Sequence, residues 1–207
     1  MVLASVFTDL LDWLADFSGD VIFLPIIFVI ALADSVIPVV PSETLVIIGG
    51  VAAGQGDQLL PLVIACGAVG AFIGDNIAYK LGASAQGFMR RTLFRGDKGA
   101  KRLEWAEDQL SKRGGMLLVT ARFIPGGRTA ITIASGLTHQ PRVKFIVFDA
   151  IACIIWATYA GLLGFVGGKT FQDDHTKAFL VAFAMAISAT VLIEVVRWTL
   201  HRRKAAD

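Results

Sequence analysis

Two arginines, Arg122 and Arg128, flank a Pro125-Gly126-Gly127 break inside an otherwise apolar stretch. Neither Met116–Thr120 before it nor Ala130–Leu137 after it carries a charge. A guanidinium at membrane depth is costly, and chains keep one there mainly where it faces a partner, a wet cavity or a substrate. Irregular backbone at that depth is tolerated only where it is buried in protein or lines water. The pair therefore points to a site for an anion inside a membrane protein.

The composition agrees. Over 207 residues the chain is 55% hydrophobic and 17% charged, with a mean hydropathy of +0.67, whereas a soluble domain carries more charge. An all-α polytopic membrane protein of one domain is expected. Cys66 and Cys153 stand alone in apolar runs without Cys-x-x-Cys spacing, so both are expected to act as small packing residues. His139, His175 and His201 lie outside the apolar cores, so neither a metal site nor a cofactor is expected. The N-terminus lacks a positive segment and carries Asp9, Asp12, Asp16 and Asp20, so no cleaved signal peptide is expected.

Along the chain, residues 1–19 hold an apolar-acidic pattern over Leu3–Phe17 that predicts an amphipathic helix in the interface plane. The membrane domain is expected over 20–200. It comprises a first repeat at 20–82, a basic amphipathic loop at 83–114, a second repeat at 115–168 and a last helix at 177–200, before a basic tail at 201–207. The runs Val21–Val40, Leu59–Gly82, Val143–Gly168 and Ala178–Leu200 are long enough to span. A helix over Pro41–Gly54 would rise about 21 Å and one over Pro125–Gly136 about 18 Å. The hydrocarbon core is ~30 Å thick, so both read as re-entrant hairpin segments.

With four crossings and two re-entrants, both termini and the 83–114 loop share one side. That side collects fifteen Lys and Arg residues against two, Lys169 and Lys177, on the other. The basic side is expected to be cytoplasmic, and the two re-entrants then enter from opposite faces. Glu43–Gly50 can be laid on Arg128–Ser135. Each block follows a proline-containing turn, opens with a charged residue and Thr, and ends in small residues. Two such units facing opposite ways form the pattern of an inverted-repeat transporter, although one pair of eight-residue blocks is also compatible with chance.

Arg128 should open a short helix, where the positive dipole end mildly disfavours it. With the free N–H groups of Gly126 and Gly127 it would make an anion-binding corner, which Arg122 could reach from the other arm of the hairpin. Guanidinium binds phosphate bidentately. The alternative is that both arginines only neutralise buried acids. Glu43 and Asp75 are the candidates for carrying protons. A desolvated carboxylate resists ionisation and a nearby arginine favours it, so such an acid can change state with local rearrangement. Glu43 also reads as first-turn acid in a helix capped by Ser42. Asp34 and Asp149 are candidate acids of the same cavity, and Glu194 is expected to pair with Arg197. Glycines 67, 70 and 74, and 161, 164 and 168, read as close helix packing. The Phe88–Arg113 stretch suits anionic lipid at a membrane surface, or is a plain solvated connector.

Pro41-Ser42-Glu43-Thr44, the Gly74–Gly82 segment and Arg122–Thr129 together resemble the DedA family of bacterial membrane proteins, related to VTT-domain and SNARE-associated Golgi proteins. The resemblance runs from about Val21 to Leu200. It implies that Glu43, Asp75, Arg122 and Arg128 are essential; the family is associated with membrane homeostasis and, for several members, with function that depends on the proton-motive force. Some members of that family look like translocases for undecaprenyl phosphate or phospholipid, and the eukaryotic relatives are similar to scramblases.

The expected function is proton-coupled translocation of a lipid phosphate across the bacterial cytoplasmic membrane. A non-selective scramblase and a small-anion transporter are the alternatives. The partners would be anionic membrane lipids and protons, not nucleic acid, and self-association stays open. An enzyme is not expected, because phosphatase chemistry of the histidine type would need a histidine inside the apolar cores near the arginines, and none lies there.

Overall fold

The computed structural model describes residues 17–37, 42–92, 96–123, 127–171, 181 and 184. The amphipathic segment Leu3–Phe17, the last helix at 177–200, the Glu194–Arg197 pair, the tail at 201–207 and the Pro125-Gly126 turn lie essentially outside them. The described residues form α1 (Phe23–Val36), α2 (Ser42–Gln55), α3 (Leu60–Thr92), α4 (Gly96–Thr120), a 3-10 turn (Ala121–Phe123), α5 (Gly127–Leu137) and α6 (Arg142–Thr170).

Two of these, Leu60–Phe88 within α3 and Arg142–Thr170, are long and apolar enough to cross a membrane. The run expected to span at Val21–Val40 instead holds a helix of 14 residues, rising about 21 Å. It closes with Ile37 N–H donating to Ala33 O at 2.9 Å. Pro38 follows directly, and a proline disfavours helix at the residue before it. The expected loop at 83–114 is also corrected. Helix α3 continues to Thr92 and α4 covers Gly96–Thr120. Ala83, Ala85, Gln86 and Met89 are good helix formers with no proline among them, so nothing local stops α3 at Gly82.

The chain divides into two compact units. The first comprises residues 1–24, 43–63 and 159–207. In it α2 packs on the end of α6 through glycine. A methyl group on Gly164 would run into Ile47 O and Val51 N, and one on Gly168 into the backbone of Val51. Gln55 Nε2 donates to Phe171 O at 3.5 Å, and Gln58 Nε2 to Asp20 O at 2.8 Å.

The second unit comprises residues 25–42 and 64–158. Here α5 packs on α3, since a methyl group on Gly136 would run into Tyr79 O and Ala83 N. The same closeness brings α1 to α3, where Gly70 meets Phe28 O and Gly74 meets Leu32 O and the Ser35 side chain. Tyr79, Leu118 and Phe145 form a buried core with Ile131, Ile146 and Phe148 against it. Tyr79 Oη donates to Gln140 O at 2.7 Å.

The contacts repeat between the halves of the sequence. Laying Glu43–Gly50 on Arg128–Ser135 carries Val51 onto Gly136, Gly164 onto Tyr79 and Gly168 onto Ala83. Val51 meets Gly164 and Gly168 in the first unit, and Gly136 meets Tyr79 and Ala83 in the second. Each short helix thus packs on the long helix of the other half at equivalent positions, which gives the eight-residue echo a physical counterpart.

Beside its apolar core the second unit buries a polar centre, and it exposes apolar rows on α3 and α6. Val69, Ile73, Ile77 and Leu81 on α3 and Val143, Val147 and Ile151 on α6 are exposed, while Asp75, Ser35, Ser135, Thr132 and Asp149 are buried. Exposed apolar rows at helical spacing around a buried polar centre suit a hydrocarbon solvent.

Candidate functional site

The buried centre of the second unit is an ion cluster. Gly74 lets the α1 backbone approach α3, which brings Asp34 and Ser35 beside Asp75. The 3-10 turn that follows α4 carries Arg122, and Arg128 is the second residue of α5. Asp149, Cys153 and Trp156 recur at spacings of four and three along α6, which puts them on one face.

Asp75 is the hub. Arg128 Nε donates to its Oδ1 at 3.0 Å and to Oδ2 at 3.3 Å, and Arg122 Nη2 donates to the same Oδ2. Arg122 Nη2 also donates to Asp149 Oδ1 at 3.1 Å and lies 2.7 Å from Cys153 Sγ. Arg128 Nη1 reaches Asp34 Oδ2 at 3.3 Å, and its Nη2 donates to Ser35 Oγ and to Ala71 O, the latter at 3.3 Å. The guanidinium carbon of Arg128 lies 5.6 Å from the centroid of the Trp156 ring. Ser42 Oγ donates to Asp34 Oδ2 at 2.6 Å, and Thr129 Oγ1 to Ser35 O at 3.2 Å.

Burial grades across the cluster. The side chains of Asp75, Asp149 and Arg122 are 0%, 1% and 2% exposed, while Arg128 and Asp34 reach 11% and 22%. The cluster therefore opens on the Asp34 side and closes at Arg122 and Asp149. Charges this deep persist only when paired, because desolvation costs several kcal/mol per ion. Two buried atoms there find no hydrogen-bond partner among the described residues: Arg122 Nη1 and Asp149 Oδ2.

Asp75, Asp149 and Cys153 also meet the spacing of a metal donor set, with ligand atoms within 4.8 Å of one another. Arg122 Nη2 contacts all three, so the cation that they surround is a guanidinium.

Five of the candidate residues come together: Asp34, Asp75, Arg122, Arg128 and Asp149. Gly127 starts α5, while Gly126 lies outside the described residues. Glu43 belongs to the first unit, where it sits exposed in the first turn of α2. The Ser42 hydroxyl donates its hydrogen to Asp34, a charged and therefore strong acceptor, and this leaves its lone pairs for the cap role expected of it. Cys153, expected only to pack, touches Arg122. Ser35 and Trp156 were not singled out from the sequence. Trp156 carries a faint signal, being one helical turn from Cys153 on the Asp149 face.

The VTT domain family matches residues 40–166. An inner membrane protein of Escherichia coli (strain K12), YohD, is 29% identical over 167 residues, covering 78% of this chain and 83% of that protein. Undecaprenyl phosphate transporter A of Bacillus subtilis (strain 168) is 27% identical over 201 residues, 92% of each chain. Protein DedA of Escherichia coli (strain K12) is 25% identical over 193 residues, 87% of this chain and 84% of that one. No solved structure matches. With a family match across most of the ion cluster and full-length relatives of these names, the chain is a membrane protein of the VTT-domain, or DedA, family.

Proposed function

We propose that this protein is a transporter that moves a lipid phosphate across the bacterial cytoplasmic membrane, coupled to protons, and that it breaks no bond in its substrate. One observation carries the reading: a single carboxylate, Asp75, holds both Arg122 and Arg128. A carboxylate bridging two guanidiniums occupies the place that a phosphate group would take, since guanidinium forks match phosphate oxygens as well as carboxylate oxygens. In the empty site Asp75 balances the arginines. Once protonated, it releases them to the head group, while the acyl or isoprenoid tail stays in the bilayer. The N–H group of Gly127 at the start of α5 adds a donor for the same oxygens, and Gly126, its neighbour in sequence, is the further candidate donor. Glu43, which the internal repeat lays on Arg128, serves as the second proton-coupling acid. The relative named as an undecaprenyl phosphate transporter supports a polyprenyl phosphate as the first substrate to test.

The reciprocal packing of α2 and α5 supports two re-entrant segments in an inverted repeat, with the site exposed to each side in turn. The basic 83–114 stretch and both termini then lie in the cytoplasm.

The test is translocation of undecaprenyl phosphate in proteoliposomes, with and without a pH gradient, by wild type and Arg128→Ala. Gradient-driven movement that the substitution abolishes is the expected result. Movement indifferent to the gradient would make the protein a scramblase. No movement by folded wild type would remove undecaprenyl phosphate as substrate and turn the search to soluble oxyanions.

A further inference from the structure

The cluster contains three carboxylates and two guanidiniums. Asp34, Asp75 and Asp149 would leave it one negative charge in excess if all were ionised, and of these Asp75 and Asp149 are almost wholly removed from water. An uncompensated buried charge is far more costly than a paired one, so the geometry should show which carboxyl is neutral. It does so by how each oxygen is occupied.

Both oxygens of Asp75 accept from arginine, and one accepts from two. Asp34 Oδ2 accepts from Ser42 and from Arg128, and its side chain is the most exposed of the three. Asp149 is different. Its Oδ1 accepts from an Arg122 nitrogen that it shares with Asp75, and its buried Oδ2 has no partner among the described residues. The other groups that face it are Cys153 on its own helix, whose Sγ lies 3.9 Å from Oδ1, and Asp75 on α3, with a carboxylate oxygen within 4.8 Å. Neither is a cation. Asp149 is thus the least compensated carboxyl in the most closed part of the site.

We propose that Asp149 is the proton-binding residue of the resting cluster, which leaves Asp34 and Asp75 to balance Arg122 and Arg128. This rests on the transport reading above and extends it. With Asp149 already neutral, Asp75 is the only anion that a phosphate must displace from Arg122. The proton on Asp149 then fixes the charge of the empty site, so the arriving head group meets a neutral cluster instead of a negative one.

Infrared spectra of the full-length protein in liposomes at neutral pH test this directly. Replacing Asp149 must remove either the carbonyl stretch of a protonated acid or the paired stretches of a carboxylate. The wild-type minus D149N difference is expected to show the protonated-acid band, and Asp149→Glu is expected to shift that band while keeping it. A difference that shows only carboxylate stretches overturns the proposal, and so does a D149E spectrum in which only carboxylate bands move. If D149N does not fold, the D149E shift alone decides between the two forms. Undecaprenyl phosphate movement by the wild type is followed in the same liposomes. A wild type that moves no lipid would defeat the transport reading and leave the infrared answer on Asp149 standing.

Discussion

Arg128 Nε donates to both oxygens of Asp75, at 3.0 and 3.3 Å, from a side chain that is 11% exposed to one that is fully buried. A pair in this position is weak evidence of net stability, because both ions were taken out of water to form it. It is strong evidence of dependence. Asp75→Asn keeps the shape and takes from both guanidiniums the carboxylate that they share, leaving Arg122 with Asp149 and Arg128 with Asp34. Breaking a buried pair by removing one partner costs about 3–5 kcal/mol, and here one substitution removes the partner of two arginines. Thermal unfolding of purified D75N in detergent should show a large loss of stability. The double variant D75N/R122M should be more stable than D75N alone, since a guanidinium that has lost its shared carboxylate is removed with it. Equal stability of the two would mean that Arg122 does not depend on Asp75.

Trp156 gives Arg128 a second face. Its ring lies under the guanidinium at 5.6 Å and is buried. Such contacts are worth about 0.5–2 kcal/mol, more when desolvated. Trp156→Phe keeps a ring in place and Trp156→Leu does not, so the leucine variant should translocate more slowly than the phenylalanine variant at matched expression. Identical rates would leave Trp156 as packing alone.

Ser42 donates to Asp34 at the open edge of the cluster through a 2.6 Å bond. A hydrogen bond to a charged acceptor contributes about 1.5–3 kcal/mol. Ser42→Ala should therefore lower thermal stability by about that amount, whereas Ser42→Thr, which retains a hydroxyl, should restore most of it. A Ser42→Ala protein as stable as wild type would show that water replaces the bond without loss.

The arginine pair was legible in the sequence because charge in an apolar run is conspicuous, and so was Asp75 beside Gly74. The partners of these groups were less so. Ser35 and Trp156 are ordinary residues until α1 and α6 carry them to Arg128, and no local pattern encodes that meeting. Asp34 and Asp149 were visible as acids but could not be placed by spacing alone. Polar composition at 83–114 suggested a loop where the structure has helix, because helix propensity depends on backbone and rotamer freedom more than on polarity. The first span was overestimated for the opposite reason: hydropathy continues past Val36, while the helix meets Pro38.

The close helix packing at Gly168 and at Gly136 can be tested by adding one methyl group at each glycine. At Gly136 a Cβ would strike the carbonyl of Tyr79, and at Gly168 that of Val51. Both neighbours are backbone and cannot swing away, so the helices must separate. Overpacking of this kind costs about 1–3 kcal/mol. Gly87 lies within α3 with nothing near its would-be Cβ. There, alanine should be neutral or stabilising by about 0.5–1 kcal/mol through backbone entropy. Thermal stability of the three alanine variants in one detergent should therefore rank Gly87→Ala at or above wild type, with Gly136→Ala and Gly168→Ala below it by similar margins. A Gly136→Ala or Gly168→Ala protein as stable as wild type would show that the close approach at that glycine adds nothing to stability, because the helices there can separate without loss.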